Sequence, residues 1–103
     1  MMQIQVEGTL PVALKALDGQ TEIKSKNIVM RQLTAIEYIQ SQTDIEAGQY
    51  LAIADLAAMT KLVDEHGKEH AITYAMLGHS SKSILDYLNE KLEDLKAKEK
   101  AEE

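Results

Sequence analysis

The sequence predicts an α+β domain in which an amino-terminal antiparallel β-hairpin or small sheet is followed by a bundle of three to four helices. Up to about Met30, apolar and polar residues alternate with the two-residue period of a strand. From Thr34 onward, apolar residues recur at helical spacing. The 103 residues suit a single domain, which we place at 1–95, followed by a charged tail at 96–103.

The two strands of the predicted hairpin are joined at Asp18-Gly19. These residue types tolerate the positive φ angles that both central positions of a type I′ turn require. The return strand is expected over 21–30, with a bulge or register change at 25–27, where the alternation is interrupted. Pro11 has no amide hydrogen to donate, so its strand is expected at an edge of the sheet, or Pro11 begins that strand.

The helical half is expected to begin at Thr34, which lies three residues before Glu37 in the arrangement of a capping box. Ile36 and Ile39 give this short first helix an apolar face. Three further helices are expected: an apolar, central one from residue 47 or 49 to 63, one over 71–77, and a last one capped by Ser80, Ser81 or Ser83. The tail alternates Lys and Glu and is expected to be a fraying helix or disordered.

Composition and charge exclude several classes of function. The chain has no cysteine, so disulfides and thiolate zinc sites are excluded. The formal net charge is −6, and no basic residue lies between Gln32 and Thr60, which argues against nucleic-acid or membrane partners and favours a basic or apolar protein. The first residues lack the features of a signal peptide, so the protein is expected to remain where it is made.

One pair of histidines raises the question of a metal site. His66 and His70 are four residues apart and lie beside Asp64 and Glu69. Gly67 lies between them in an expected loop, where helical convergence of the two rings does not follow. Neither a nucleophile elbow nor a phosphate-binding glycine loop is present in the sequence. We therefore expect no metal, no cofactor and no enzymatic activity.

Two apolar surfaces are candidates for binding a protein partner, although both could simply pack in the core. One is formed by the small and flexible residues of the central helix, which include Met59, and the other by the leucines of the last helix. Asp55 is the only charge between residues 47 and 60, and it either faces solvent or meets a cation of a partner. The last helix carries a leucine seam whose end, Leu92 and Leu95, is expected to extend beyond the core and support a homo-oligomer. The candidate partner-binding residues are Tyr50, Asp55, Met59, Leu88, Leu92 and Leu95.

A family resemblance narrows the function. The segments that carry it are Leu10-Pro11-Val12, the Asp18-Gly19 turn, the strand over 28–31, Leu33-Thr34-Ala35, the apolar helix over 50–62 and Ile84-Leu85-Asp86-Tyr87-Leu88. Their order, over residues 3–95, resembles the phage tail assembly chaperone family of Mu-like and P2-like contractile-tailed phages and prophages.

The resemblance implies an assembly factor that acts in the bacterial host cytoplasm. Such a protein binds the long, helical, aggregation-prone tape measure protein and delivers it to the growing tail without remaining in the virion. The alternative is a small structural tail or head accessory protein that is retained in the particle. Detection in purified virions would distinguish the alternative from the chaperone.

Overall fold

The computed structural model describes residues 4–101, which form a four-stranded antiparallel sheet and four helices, in agreement with the predicted α+β class. The elements in chain order are β1 (Gln5–Asp18), β2 (Thr21–Arg31), α1 (Ala35–Thr43), α2 (Leu51–Met59), β3 (Thr60–Val63), β4 (Glu69–Ala71), α3 (Tyr74–Gly78) and α4 (Lys82–Ala101). The strands lie in the order β1-β2-β3-β4. Within residues 4–101, no helix is long and apolar enough to cross a membrane.

The β1–β2 turn lies one residue later than the sequence analysis placed it. Asp18 pairs with Thr21, so the two central residues are Gly19 and Gln20. Gly19 has a φ of 65°, as predicted, whereas Gln20 does not have a positive φ. A positive φ at the first central position alone is the pattern of a type II′ turn, and the predicted type I′ turn is wrong.

Replacing Gly19 with valine should lower the free energy of unfolding by about 1–2 kcal/mol, because a β-branched residue rarely adopts a positive φ. Apart from the neighbouring residues of the chain, no described atom lies within 4 Å of the position that a Cβ would take, so the cost is conformational rather than steric. Urea denaturation measures the change. Gln20→Val is the matched control and should cost clearly less; an unchanged midpoint for Gly19→Val would contradict the turn assignment.

The pairing of β1 with β2 is interrupted between Thr9 and Leu14. The partners of these two residues on β2 are Asn27 and Ser25, so the additional residues of the interruption belong to β1. The interrupted alternation at residues 25–27 predicted an irregularity at this point, but on β2 rather than on β1. Pro11 lies within the interrupted segment, and β1 is an edge strand, as the proline predicts.

The core lies between one face of the sheet and the helices α2, α3 and α4. Its largest fully buried side chains include Leu10, Ile28, Met30 and Leu62 from the sheet and Ile84, Leu88 and Leu95 from α4. The 14 residues of β1 would span roughly 45 Å if fully extended, whereas the 20 residues of α4 span about 30 Å. The long strand therefore supplies enough surface to cover the helix along its length.

This geometry corrects the expectation for the end of α4. Leu95 is 0 % exposed and Leu92 is half-buried, so the prediction that this end of the leucine seam is uncovered is wrong for Leu95. The helix continues to Ala101, so residues 96–101 of the expected tail are helical. Residues 102 and 103 lie outside the described part of the chain.

A second hairpin, β3–β4, replaces the predicted end of the second helix, the connection that follows it and the first residue of the predicted third helix. The second helix, expected to reach Val63, ends at Met59, and β3 pairs with β2. The third helix, expected from Ala71, begins at Tyr74. The β-branched residues of β3 favour a strand once β2 offers a partner. Strands of three or four residues are too short to show a clear two-residue period.

Candidate functional site

Helix α1 begins at the predicted capping box. The Thr34 N–H donates to Glu37 Oε1 at 2.9 Å, and the Glu37 N–H donates to Thr34 Oγ1 at 3.2 Å. None of the residues of α1 is buried. At its carboxyl end, Gln42 Nε2 donates to Asp55 Oδ1 of α2 at 2.7 Å. Asp55 is half-buried and accepts this hydrogen bond from within the chain, so it is not simply solvent-facing; its contact with a cation of a partner stays a prediction.

An apolar groove of about 350 Å³ lies between the start of α1, the end of α2 and the distal part of α4. We call it the α1–α4 groove. Its apolar lining includes Leu33, Tyr38, Met59 and Leu92, and its charged lining residues are Asp55 and Lys96. The groove therefore brings together three of the predicted partner-binding residues: Asp55, Met59 and Leu92.

Large apolar side chains are also exposed on α1 and at the start of α2. Ile36 is 69 % exposed, Ile39 is 62 % exposed, Tyr50 is 71 % exposed and Leu51 is 54 % exposed. The three-residue spacing of Ile36 and Ile39 places both on one side of α1. We call these four residues the α1–α2 apolar surface. The sequence predicted the apolar face of α1, and the structure leaves that face uncovered.

The remaining predicted partner-binding residues have different environments. The Tyr50 side chain is exposed, while its backbone N–H donates to Tyr74 Oη at 2.7 Å and attaches the start of α2 to α3. Leu88 and Leu95 are completely buried in the core and present no surface to a partner in this conformation. The sequence analysis did not identify Leu33 or Tyr38 as site residues, because their role depends on the packing of α1 against α2 and α4.

The surroundings of the α1–α2 apolar surface are acidic. Glu37, Asp44 and Glu46 are exposed, and residues 33–59 contain no basic side chain. Lys96 lines the groove. Its Nζ lies 3.7 Å from Glu93 Oε1, so the carboxylate partly offsets the positive charge of the lysine. At the start of α1, Glu37 lines a cleft together with Arg31 and Lys61, so the uncompensated negative charge is concentrated at Asp44 and Glu46, after the carboxyl end of α1.

The two histidines considered as metal ligands do not converge. His70 is buried, and its Nε2 lies 2.8 Å from Asp64 Oδ2, whereas the His66 side chain is exposed. Asp64 Oδ1 accepts the backbone N–H groups of His66 at 2.8 Å and Lys68 at 2.9 Å. Within residues 4–101, no group of three or more potential ligands is arranged to hold a metal ion. Asp64 and His70 thus fix the β3–β4 turn.

The stability of the protein should decline as the pH falls from about 4 towards about 2, because of Asp64. The hydrogen bond with His70, followed by the bonds from the backbone, lowers the pKa of Asp64 from 3.8 to about 2. A lowered pKa means that the folded state binds this proton less readily than the unfolded chain. The stabilisation by the Asp64 carboxylate is therefore fully present above the pKa of the unfolded chain. It is lost as the pH falls through the pKa of the folded protein.

Thermal unfolding of the protein and of Asp64→Asn at a series of pH values measures this effect. The asparagine retains an oxygen for the turn but has no charge, so the difference in Tm between the two proteins should shrink towards about pH 2. Asp86→Asn, which removes an exposed carboxylate paired with Lys82, is the control and should have little effect. A difference for Asp64→Asn that is constant with pH would contradict the assignment.

Another cleft, of about 590 Å³, is lined by residues of β1, β2 and the β3–β4 hairpin, including Arg31. The Arg31 guanidinium forms a bidentate pair with Glu69, with Nη2 at 2.6 Å from Oε2. This pair lowers the pKa of Glu69. Because its cation is already neutralised, we regard this polar cleft as a weaker candidate than the α1–α4 groove and the α1–α2 apolar surface.

Comparisons of the chain with protein-family models, with curated proteins and with solved structures gave no significant match. The groove, the exposed apolar residues and their acidic surroundings are thus the features on which a function can be proposed, together with the resemblance described above.

Proposed function

We propose that this protein is a tail assembly chaperone of a contractile-tailed phage or prophage, which binds the tape measure protein in the bacterial cytoplasm and keeps it soluble. The observation that carries the proposal is the α1–α2 apolar surface. Its four side chains are more than half exposed, although the same chain buries a well-defined core. Large apolar side chains that are exposed on two neighbouring helices are candidates for protein interaction.

The α1–α4 groove adds a second feature that suits a helical client. Helical ligands place apolar side chains into grooves of this kind, at intervals of three and four residues. Tyr38, which is 49 % exposed, contributes a rigid aromatic ring, whereas Met59 is 7 % exposed and contributes only the accessible part of its flexible side chain. A chaperone that accepts many segments of a long helical protein requires side chains that adapt to different apolar shapes.

The family resemblance supplies the identity of the client. The resemblance implies a tape measure protein, which is long, helical and prone to aggregate. Exposed apolar side chains on α1 and α2 support such a partner, because they provide an apolar contact for helices that would otherwise associate with one another. The acidic side chains around them would add steering and specificity more than affinity.

Co-expression with the tape measure protein encoded beside this gene tests the proposal. The client should move from the insoluble to the soluble fraction and should co-purify with this protein. Ile36→Ser combined with Ile39→Ser should reduce the soluble client without lowering the Tm, because both side chains are exposed. Val12→Ser combined with Leu17→Ser changes exposed apolar residues of β1 and is the matched control.

Two outcomes would contradict the proposal. The first is a tape measure protein that is equally soluble without this partner. The second is recovery of this protein at fixed stoichiometry in purified virions, which would favour a structural tail or head accessory protein.

A further inference from the structure

We infer that the α1–α2 apolar surface receives an amphipathic helix whose apolar face is flanked by Lys or Arg. This inference rests on the proposed function and adds the chemistry of the client segment. The inference follows from the secondary structure of the surface, from the charged residues around it and from the helix dipole of α1.

The secondary structure of the surface favours a helical ligand. The N–H and C=O groups in the middle of α1 and α2 are used within the helices, so they offer no ladder to an extended peptide. An extended ligand would need an open strand edge, and none of the four side chains of the surface lies on a strand. A helical ligand satisfies its own backbone and requires only apolar side chains from its partner.

The charges around the surface favour a basic ligand. Asp44 and Glu46 follow the last turn of α1, and both are exposed, whereas Glu37 in the first turn shares a cleft with Arg31 and Lys61 and contributes less. The last turn of α1 contains no basic residue that would offset the partial negative charge of the helix carboxyl end. A cation on the ligand is therefore favoured by both the carboxylates and the helix dipole at this position.

The same charges disfavour the other occupants of an apolar surface. A second copy of this chain, docked through the same surface, would place the carboxylates of both copies in one interface and would supply no cation from residues 33–59 to offset them. An anionic membrane would be repelled in the same way. Among the candidate occupants, a basic amphipathic helix alone gains from both the apolar contact and the charge.

Fluorescence anisotropy with two labelled synthetic peptides tests this inference. Both peptides have about 20 residues, which is long enough for a helix to form, and carry leucines at helical spacing; one is flanked by lysines and the other by glutamates. At about 0.1 M salt, the lysine peptide should bind at least about tenfold more tightly, and the ratio should shrink as the salt concentration rises. Ile36→Ser combined with Ile39→Ser should weaken binding of the lysine peptide by about tenfold.

Charge reversal distinguishes local from overall electrostatics. Asp44→Lys combined with Glu46→Lys should reverse the preference between the two peptides. Glu65→Lys combined with Glu90→Lys changes the net charge equally at exposed positions outside the surface and should preserve the preference. Equal binding of the two peptides, or an equal effect of the two charge reversals, would overturn the inference.

The remaining outcomes separate this inference from the proposed function. A concentration-dependent mass in light scattering that Ile36→Ser with Ile39→Ser abolishes would show that a second copy occupies the surface, and would overturn the inference. If the tape measure protein is insoluble with or without this protein while the lysine peptide preference and its reversal hold, the proposed function fails and the surface assignment stands. If the Ile36→Ser and Ile39→Ser protein solubilises the client as well as the parent does, the proposed function stands and the inference fails.

Discussion

Replacing Leu95 with alanine should lower the free energy of unfolding by about 3 kcal/mol, although the residue lies near the carboxyl end of the last helix. The Leu95 side chain is 0 % exposed and belongs to the same core as Leu88 and Ile84. Truncating it would remove buried methylene groups and leave a cavity between α4 and the sheet. The end of α4 is also attached to β1, because Lys98 Nζ donates to the Gln5 carbonyl oxygen at 2.9 Å.

Leu92→Ala is the matched control for this prediction. Leu92 lies one turn earlier, is half-buried and lines the α1–α4 groove, so its truncation should cost clearly less than that of Leu95. Urea denaturation of both variants measures the difference. A loss for Leu95→Ala that is no larger than the loss for Leu92→Ala would show that the distal part of α4 is not packed on the sheet in solution.

Replacing Gly8 with valine should destabilise the protein by about 2 kcal/mol, because β1 and α4 approach each other closely at this residue. A Cβ at position 8 would overlap the Tyr87 hydroxyl oxygen and would lie 2.9 Å from Lys91 Cε. The Tyr87 hydroxyl cannot move away without a cost, since it accepts a hydrogen bond of 2.9 Å from the Thr9 N–H. Thr9 borders the interruption of β1–β2 pairing, so tyrosine satisfies a backbone donor at this irregular point.

A double-mutant cycle tests this explanation more directly. Tyr87→Phe removes the oxygen that a Cβ at position 8 would meet, and with it the hydrogen bond to Thr9. The losses of stability for Gly8→Ala and Tyr87→Phe should therefore sum to more than the loss for the double variant. Strict additivity, measured by urea denaturation, would show that the two residues do not interact.

The parts of the fold that the sequence predicted are those with local signals. The turn at Gly19 and the capping box of Thr34 and Glu37 depend on residues within a few positions of each other. The β3–β4 hairpin depends instead on a pairing with β2 across more than thirty residues of sequence. That pairing overrides the helical spacing of the apolar residues before Val63, and no local sequence pattern predicts it.

In the candidate site, too, the features with local sequence signals were predicted, and those that depend on tertiary packing were not. Asp55 and Met59 were predicted from the pattern of α2, and both line the α1–α4 groove. The apolar face of α1 was also predicted, but its exposure depends on which other elements pack near it. Leu95 was expected to be uncovered, because the length of sheet available to α4 could not be inferred from the spacing of the leucines.

The interruption of β1–β2 pairing also bears on whether the protein polymerises. An edge strand normally presents a regular row of unpaired backbone groups on which a strand of another molecule can add, and fibrils grow by repeating that step. Pro11 withholds one donor from this row, and the additional residues between Thr9 and Leu14 break its regular spacing. At the opposite edge, β4 has only three residues. Both edges of the sheet are thus poor templates for a further strand, in a molecule whose helices leave apolar side chains uncovered.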